Sequence, residues 1–187
     1  NCFFTVGKGM MTGLVPYRDL FEQKGPLLYF LHGLAYLVSP DSFIGVFGLE
    51  VASMTLWFVY LYKLARLYTT PRPAMLLVSA AGVLTVVANC FLRGDNAEEF
   101  CLPLLTIGLY HLLLFARRND GRMAPGLLFL NGLLAGCVLW IKYSMLGFWI
   151  AWIGMVFLSV WNRRPHREAA RALCLFAAGG VAATLPW

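Results

Sequence analysis

An all-α polytopic membrane bundle is the fold class this sequence predicts. Three observations carry the expectation. The chain is 60% hydrophobic and 13% charged, against about 45–50% apolar and about 25% charged in an ordinary soluble domain. Apolar runs of roughly 17–20 residues recur, each long enough to cross ~30 Å of hydrocarbon. The basic residues are confined to short loops between those runs.

Residues 2–13 are expected to form a short helix along the membrane surface. Phe3, Phe4, Val6, Met10 and Leu14 can share an apolar face, Lys8 and Thr12 are more polar, and Gly13 is a natural stop. The stretch Tyr17-Arg18-Asp19-Leu20-Phe21-Glu22-Gln23-Lys24-Gly25-Pro26 follows, with four charges in ten residues. Residues 27–38 are apolar but only about 12 long, too short for a standard span. They are expected to lie at the interface or to re-enter, with Tyr29, His32 and Tyr36 at the water boundary. Pro40 and Asp41 then mark the start of the first full crossing.

Crossings are expected at 43–62, 74–92, 100–116, 125–141 and 145–161, with a sixth at 173–187. Lys63, Arg66 and Arg72 lie in one loop. Arg117, Arg118 and Arg122 lie in a second, and Arg163, Arg164, Arg167 and Arg171 in a third. Basic loops favour the cytoplasmic side. Alternation then places residues 1–42, 93–99 and 142–144 on the opposite side. The cytoplasmic loops hold ten basic residues with only Asp120 and Glu168. The outer side holds Asp19, Glu22, Asp41, Glu50, Asp95, Glu98 and Glu99, with Lys8, Arg18, Lys24, Arg93 and Lys142. Residues 1–42 thus read as an external loop and 43–187 as the spanning part of a single domain. The chain starts at Asn1 and stops inside an apolar run, so it reads as a piece of a longer protein.

The net charge of +6 does not point to nucleic acid, because its distribution is that of membrane orientation. The five cysteines form no CxxC and no zinc-type spacing. Cys90 and Cys101 bracket one loop and can pair or stay reduced. No P-loop, GxSxG, HExxH or dinucleotide fingerprint is present.

Three groups can carry chemistry. Asp19, Glu22 and Lys24, with Arg18 beside them, form either a binding cluster or a solvated loop with weak ion pairs. Gly25-Pro26 fixes where Lys24 points before the next helix. Arg93-Gly94-Asp95-Asn96-Ala97-Glu98-Glu99 is a polar turn whose two glutamates suit a helix N-terminus and can still bind. Lys142 snorkels to the interface or anchors a phosphate. Glu50, in a span, is expected to pair with an external cation or face a cavity. Asn89, His111 and Asn131 suit contacts between helices, and Gly132-Leu-Leu-Ala-Gly136 suits close helix packing.

The ordered pieces Val6-Gly7-Lys8-Gly9-Met10-Met11, Gly13-Leu-Val-Pro16-Tyr17-Arg18-Asp19 and Lys24-Gly25-Pro26-Leu27 resemble the first external loop of a known family. It is that of the bacterial polyprenyl-phosphate-dependent glycosyltransferases, GT-C enzymes related to protein O-mannosyltransferases and aminoarabinose transferases. Glu98-Glu99-Phe100-Cys-Leu-Pro103 and residues 132–142 are similar to that family too. The family often has Lys-Pro-Pro where this chain has Lys24-Gly25-Pro26.

The resemblance implies a sugar donor on a polyprenyl phosphate, a lipid, glycan or protein acceptor, and an active face away from the cytoplasm of a bacterial inner membrane. It implies a carboxylate base just after a first span, upstream of Asn1, and a C-terminal acceptor-binding region beyond Trp187. Asp19, Glu22, Asp95 and Glu98 are the catalytic candidates in this stretch. Tyr17, Arg18, Lys24, Arg93, Glu99 and Lys142 are the substrate-binding candidates. A divalent metal is compatible but not required, and no residue is assigned to one. A lipid-linked-sugar flippase or a non-catalytic scaffold is the alternative. The scarcity of ionisable groups within the spans disfavours a transporter.

Overall fold

Proline and glycine punctuate this chain into helices. Prolines open α2 (Pro26–Val38), α4 (Pro71–Val87) and α6 (Pro125–Lys142), where the missing N–H has no helical partner to lose. The remaining helices are α1 (Cys2–Met11), α3 (Ile44–Ala65), α5 (Ala97–Arg118), α7 (Leu146–Arg163) and α8 (His166–Ala182), with a single 3-10 turn at Tyr143–Met145. The computed structural model describes residues 2–20, 22–87, 94–118 and 120–187. Arg93, Asn89, Cys90 and the end of the span expected at 74–92 lie outside the described residues. Among those described there is no β-strand.

The helices form two units. One comprises residues 1–103 with 140–142, and the other 104–139 with 143–187.

In the first unit, α1 ends as its sequence suggests. Gly13 adopts φ +93, and the Leu14 N–H reaches back to the Gly9 carbonyl at 2.9 Å, a glycine-terminated helix end. Of the expected apolar face of α1 only Val6 is fully buried, and two glycines join it. Val6, Gly7 and Gly9 are buried, because α1 packs backbone to backbone on α2. A Cβ on Gly7 would lie 2.6 Å from the Tyr29 carbonyl oxygen. Phe3 and Phe4 flank this crossing, Phe3 against the Tyr29 and His32 rings and Phe4 against Tyr36 and Phe43.

Helix α2 also departs from expectation. Tyr29 and His32 are fully buried, whereas Leu37 and Val38 are exposed. Their polar atoms all find protein partners, which removes the penalty that would keep them at water. Helix α3 leaves α2 where a Cβ on Gly45 would overlap the Ala35 carbonyl. It is paired with α4.

In the second unit, Trp149 and Trp152 are 1% exposed. Trp152 donates its indole N–H to the Gly108 carbonyl at 2.8 Å and stacks on Phe176 with ring centroids 5.6 Å apart. Asn131 meets His111 across α5 and α6. Gly132 and Gly136 face α8, where Cβ atoms on them would overlap the Phe176 carbonyl and crowd Gly180. Both sets serve helix packing, as their polar and small character suggests.

Among the described residues, three helical runs are long and apolar enough to cross a membrane: Ile44–Ala65, Ala97–Arg118 and the 39-residue run Pro125–Arg163. Six crossings were expected. Helix α8 opens with His166, Arg167 and Glu168 and carries Arg171, which shortens its apolar part, and α4 is described as far as Val87. The long run contains α6 and α7, each 18 residues or about 27 Å. They fold back at the 3-10 turn, since Arg164 after α7 donates two bonds to the Asp120 carbonyl before α6.

Candidate functional site

The polar stretch before α2 is a folded loop. Asp19 closes it, accepting the Val15 N–H at 2.8 Å and both Nε and Nη2 of Arg18 at 2.9 and 2.8 Å. The Arg18 guanidinium and the Val15 amide hold the Asp19 carboxyl at about 2. Tyr17 lies at φ +68, a left-handed conformation that bulky residues avoid. That twist lets its hydroxyl donate to the Lys24 carbonyl. The Lys24 N–H in turn donates to the Tyr29 hydroxyl at 2.9 Å. Burial raises the Tyr17 phenol above its ordinary value, so it stays a donor. Glu22 accepts the Cys2 thiol at 2.8 Å and the Gln23 N–H at 2.8 Å, and these two bonds hold its carboxyl below the usual range.

Lys24-Gly25-Pro26 docks on the end of α6. The Gly25 N–H donates to the Ile141 carbonyl at 3.3 Å, and a Cβ on Gly25 would overlap the Trp140 carbonyl. A proline at 25 would have neither that donor nor that space. This accounts for the departure from Lys-Pro-Pro. One residue past Ile141, Lys142 forms an ion pair with Glu98 in the first turn of α5. Lys24 is close enough to act electrostatically on both Glu22 and Glu98.

The start of α5 is capped by the side chain of Glu99. Asn96 precedes the helix, and its N–H reaches a Glu99 carboxylate oxygen at 3.3 Å. Pro103 lies within α5 and cannot donate to the carbonyl of Glu99. The Ser53 hydroxyl of α3 supplies that bond at 2.8 Å. Gly94 and Asp95 both have positive φ, +64 and +52. This turn aims Asp95 at α2, where its Oδ1 is 2.7 Å from His32 Nε2. His32 Nδ1 donates to the Leu28 carbonyl at 2.7 Å. Both ring nitrogens of His32 therefore face oxygen atoms.

The family of the chain follows from its sequence match. A family model described as dolichyl-phosphate-mannose-protein mannosyltransferase matches residues 23–187. The chain belongs to this family. No curated protein and no solved structure matches it. The mannosyltransferase family is one of membrane glycosyltransferases of the GT-C type, and the apolar helices agree with it.

The family match begins one residue before Lys24. It takes in Lys24, Asp95, Glu98, Glu99 and Lys142 and leaves Tyr17, Arg18, Asp19 and Glu22 ahead of it. The structure brings Lys142 and Glu98 together, with Lys24 in electrostatic range. It gives Asp19, Arg18 and Glu22 partners within residues 2–23. Arg93 lies outside the described residues. Glu50 does not meet a cation among the described residues. It lies against Gly94, whose Cβ would be 3.2 Å from its Oε1, and the Asp95 and Glu99 carboxylates are in electrostatic range. Glu50 Oε1 and Asp95 Oδ2 are buried without a hydrogen-bond partner among the described residues. No group of three His, Cys, Asp or Glu among those residues could hold a metal ion.

His32 is the residue that sequence reasoning misplaced. Its signal was present but weak: a lone histidine in an apolar helix must bury or expose two polar nitrogens, and burial requires partners for both. Nothing in the local sequence pointed to Asp95, 63 residues away.

Proposed function

We propose that this mannosyltransferase-family chain transfers a sugar from a polyprenyl phosphate to an acceptor on the non-cytoplasmic side of the membrane. One observation carries the reading: Lys142 and Glu98 pair beside the corner where Gly25 docks the Lys24 loop onto α6. Two ammonium groups and a carboxylate, drawn from three distant segments, thus converge near the ends of apolar helices. Such a site suits a phosphate whose hydrocarbon tail lies in lipid.

The chemistry assigned to it is nucleophilic displacement at the anomeric carbon. An acceptor hydroxyl or amine attacks that carbon, and the bond from carbon to the lipid phosphate oxygen breaks. The phosphate leaves with the electron pair, and a carboxylate takes the acceptor proton. Lys24 and Lys142 neutralise the growing phosphate charge. Asp95 is the favoured proton acceptor within this chain, because His32 engages one oxygen and leaves the other without a protein partner among the described residues. Asp19 is a weaker base, since its carboxyl is held at about 2. With Glu22 and Arg18 it shapes the loop that presents Lys24. Glu99 holds the start of α5 in register.

The proposed orientation rests on the charge partition, with ten basic residues in the three loops assigned to the cytoplasm. A bacterial inner membrane is the proposed location.

The test uses the full-length protein in membranes with a labelled polyprenyl-phosphate sugar. Lys24→Ala, Lys142→Ala and Asp95→Asn should each lower transfer by about 10²-fold or more at normal expression. Wild-type transfer by all three would overturn the site.

A further inference from the structure

We propose that the second unit carries a binding site for the phosphodiester headgroup of an anionic phospholipid. A cavity of about 480 Å³ opens among the ends of α5, α6, α7 and α8. Its polar wall holds Arg118 at the end of α5, Arg122 in the following loop and Arg171 on α8. None of the three takes part in the ion pairs among the described residues.

Two carboxylates also line the cavity, Asp120 and Glu168. Three guanidinium groups against two carboxylates leave it net positive. Asp120 is already engaged, its Oδ1 accepting the Arg122 N–H at 2.9 Å. Its carbonyl accepts both Nε and Nη2 of Arg164 at 3.1 and 2.9 Å, which brings a further cation beside the wall. Helix α6 begins at this cavity with no side-chain cap, so the positive end of its dipole adds to the field. A monoanion matches this charge.

The floor is apolar. Leu128, Val160 and Leu175 come from α6, α7 and α8, and the first two are 4% exposed. These helices continue into the apolar runs. A site with a cationic wall over an apolar floor, at the ends of α5, α6 and α7, which are long and apolar enough to span, fits a phosphate that carries hydrocarbon. A soluble phosphate would use the wall and leave the floor wet. Positive loops are common in membrane proteins. What distinguishes this one is that three arginines from three separate segments line a single concavity.

The test is native mass spectrometry of the delipidated full-length protein in detergent. Phosphatidylglycerol and phosphatidylcholine are added separately, and glycerol phosphate serves as the soluble probe. Phosphatidylglycerol should bind about tenfold more tightly than phosphatidylcholine, the worth of one charge-assisted bond. The triple variant R118Q/R122Q/R171Q should lose that preference, and glycerol phosphate should not displace the lipid. Equal binding of both lipids to the wild type overturns the site without recourse to any variant. An unchanged preference in the triple variant overturns the arginine assignment. Displacement by glycerol phosphate assigns the cavity to a soluble anion and overturns the lipid reading.

Discussion

His32 on α2 and Asp95 before α5 meet at 2.7 Å, and the histidine side chain is wholly buried. The pair ties the short helix α2 to the turn that leads into α5. Removing one partner strands the other in a dry site. His32→Ala should therefore destabilise the full-length protein by about 3–5 kcal/mol, the usual cost of breaking a buried pair. Thermal unfolding in detergent measures it. A melting temperature equal to wild type would mean the pair does not hold α2 in place.

Gly25 has a second, steric role. Gly25→Ala should cost about 1–3 kcal/mol, because its Cβ must push the Trp140 backbone aside. Gly25→Pro restores the family's Lys-Pro-Pro but should do no better, since it also loses the bond to Ile141. Unfolding midpoints of the two variants decide this, and a stabilised Gly25→Pro would contradict the docking geometry.

Glu98 and Lys142 should be thermodynamically coupled. Their side chains are 37% and 23% exposed, so water screens the pair and the coupling should be about 1 kcal/mol. A double-mutant cycle with Glu98→Gln and Lys142→Met reads it directly. Strict additivity of the two losses would show that the pair contributes nothing.

The Arg18–Asp19 loop should be acid-sensitive. The Asp19 carboxyl is depressed from 3.8 to about 2. A group lowered by folding contributes stability above its unfolded value and loses it as pH falls through the folded one. The stability difference between wild type and Asp19→Asn should thus be constant above about pH 5, shrink as pH falls through 3.8 and about 2, and vanish only by about pH 1. A difference that does not change between about pH 5 and pH 1 would assign the effect to something other than charge.

Cys2 is exposed but should alkylate slowly. Its thiol is raised above the ordinary 9.0, chiefly by the bond it donates to Glu22, and only the thiolate reacts. Glu22→Gln should speed iodoacetamide labelling of Cys2 several-fold near neutral pH. An unchanged rate would show that the bond is absent in solution.

Much of the helical framework was legible residue by residue. Pro26 and Pro125 open helices, Gly13 closes one, and Glu98 and Glu99 lie in a first turn as their charge suggests. Lys24, Glu98 and Lys142 could each be singled out, but not their meeting. The number of crossings was less legible, because the charged start of α8 shortens its apolar part.

Composition and punctuation alone determined the all-helical membrane class and the partition of charge, because helix formation and burial in lipid depend on near neighbours and on run length. Tertiary structure alone decided which polar groups meet. Glycines at 7, 25 and 45 let backbones touch, and that close approach sets where His32, Asp95, Glu98 and Lys142 come to rest. Hydrogen bonds and ion pairs act over a few ångströms, a distance that sequence separation does not encode.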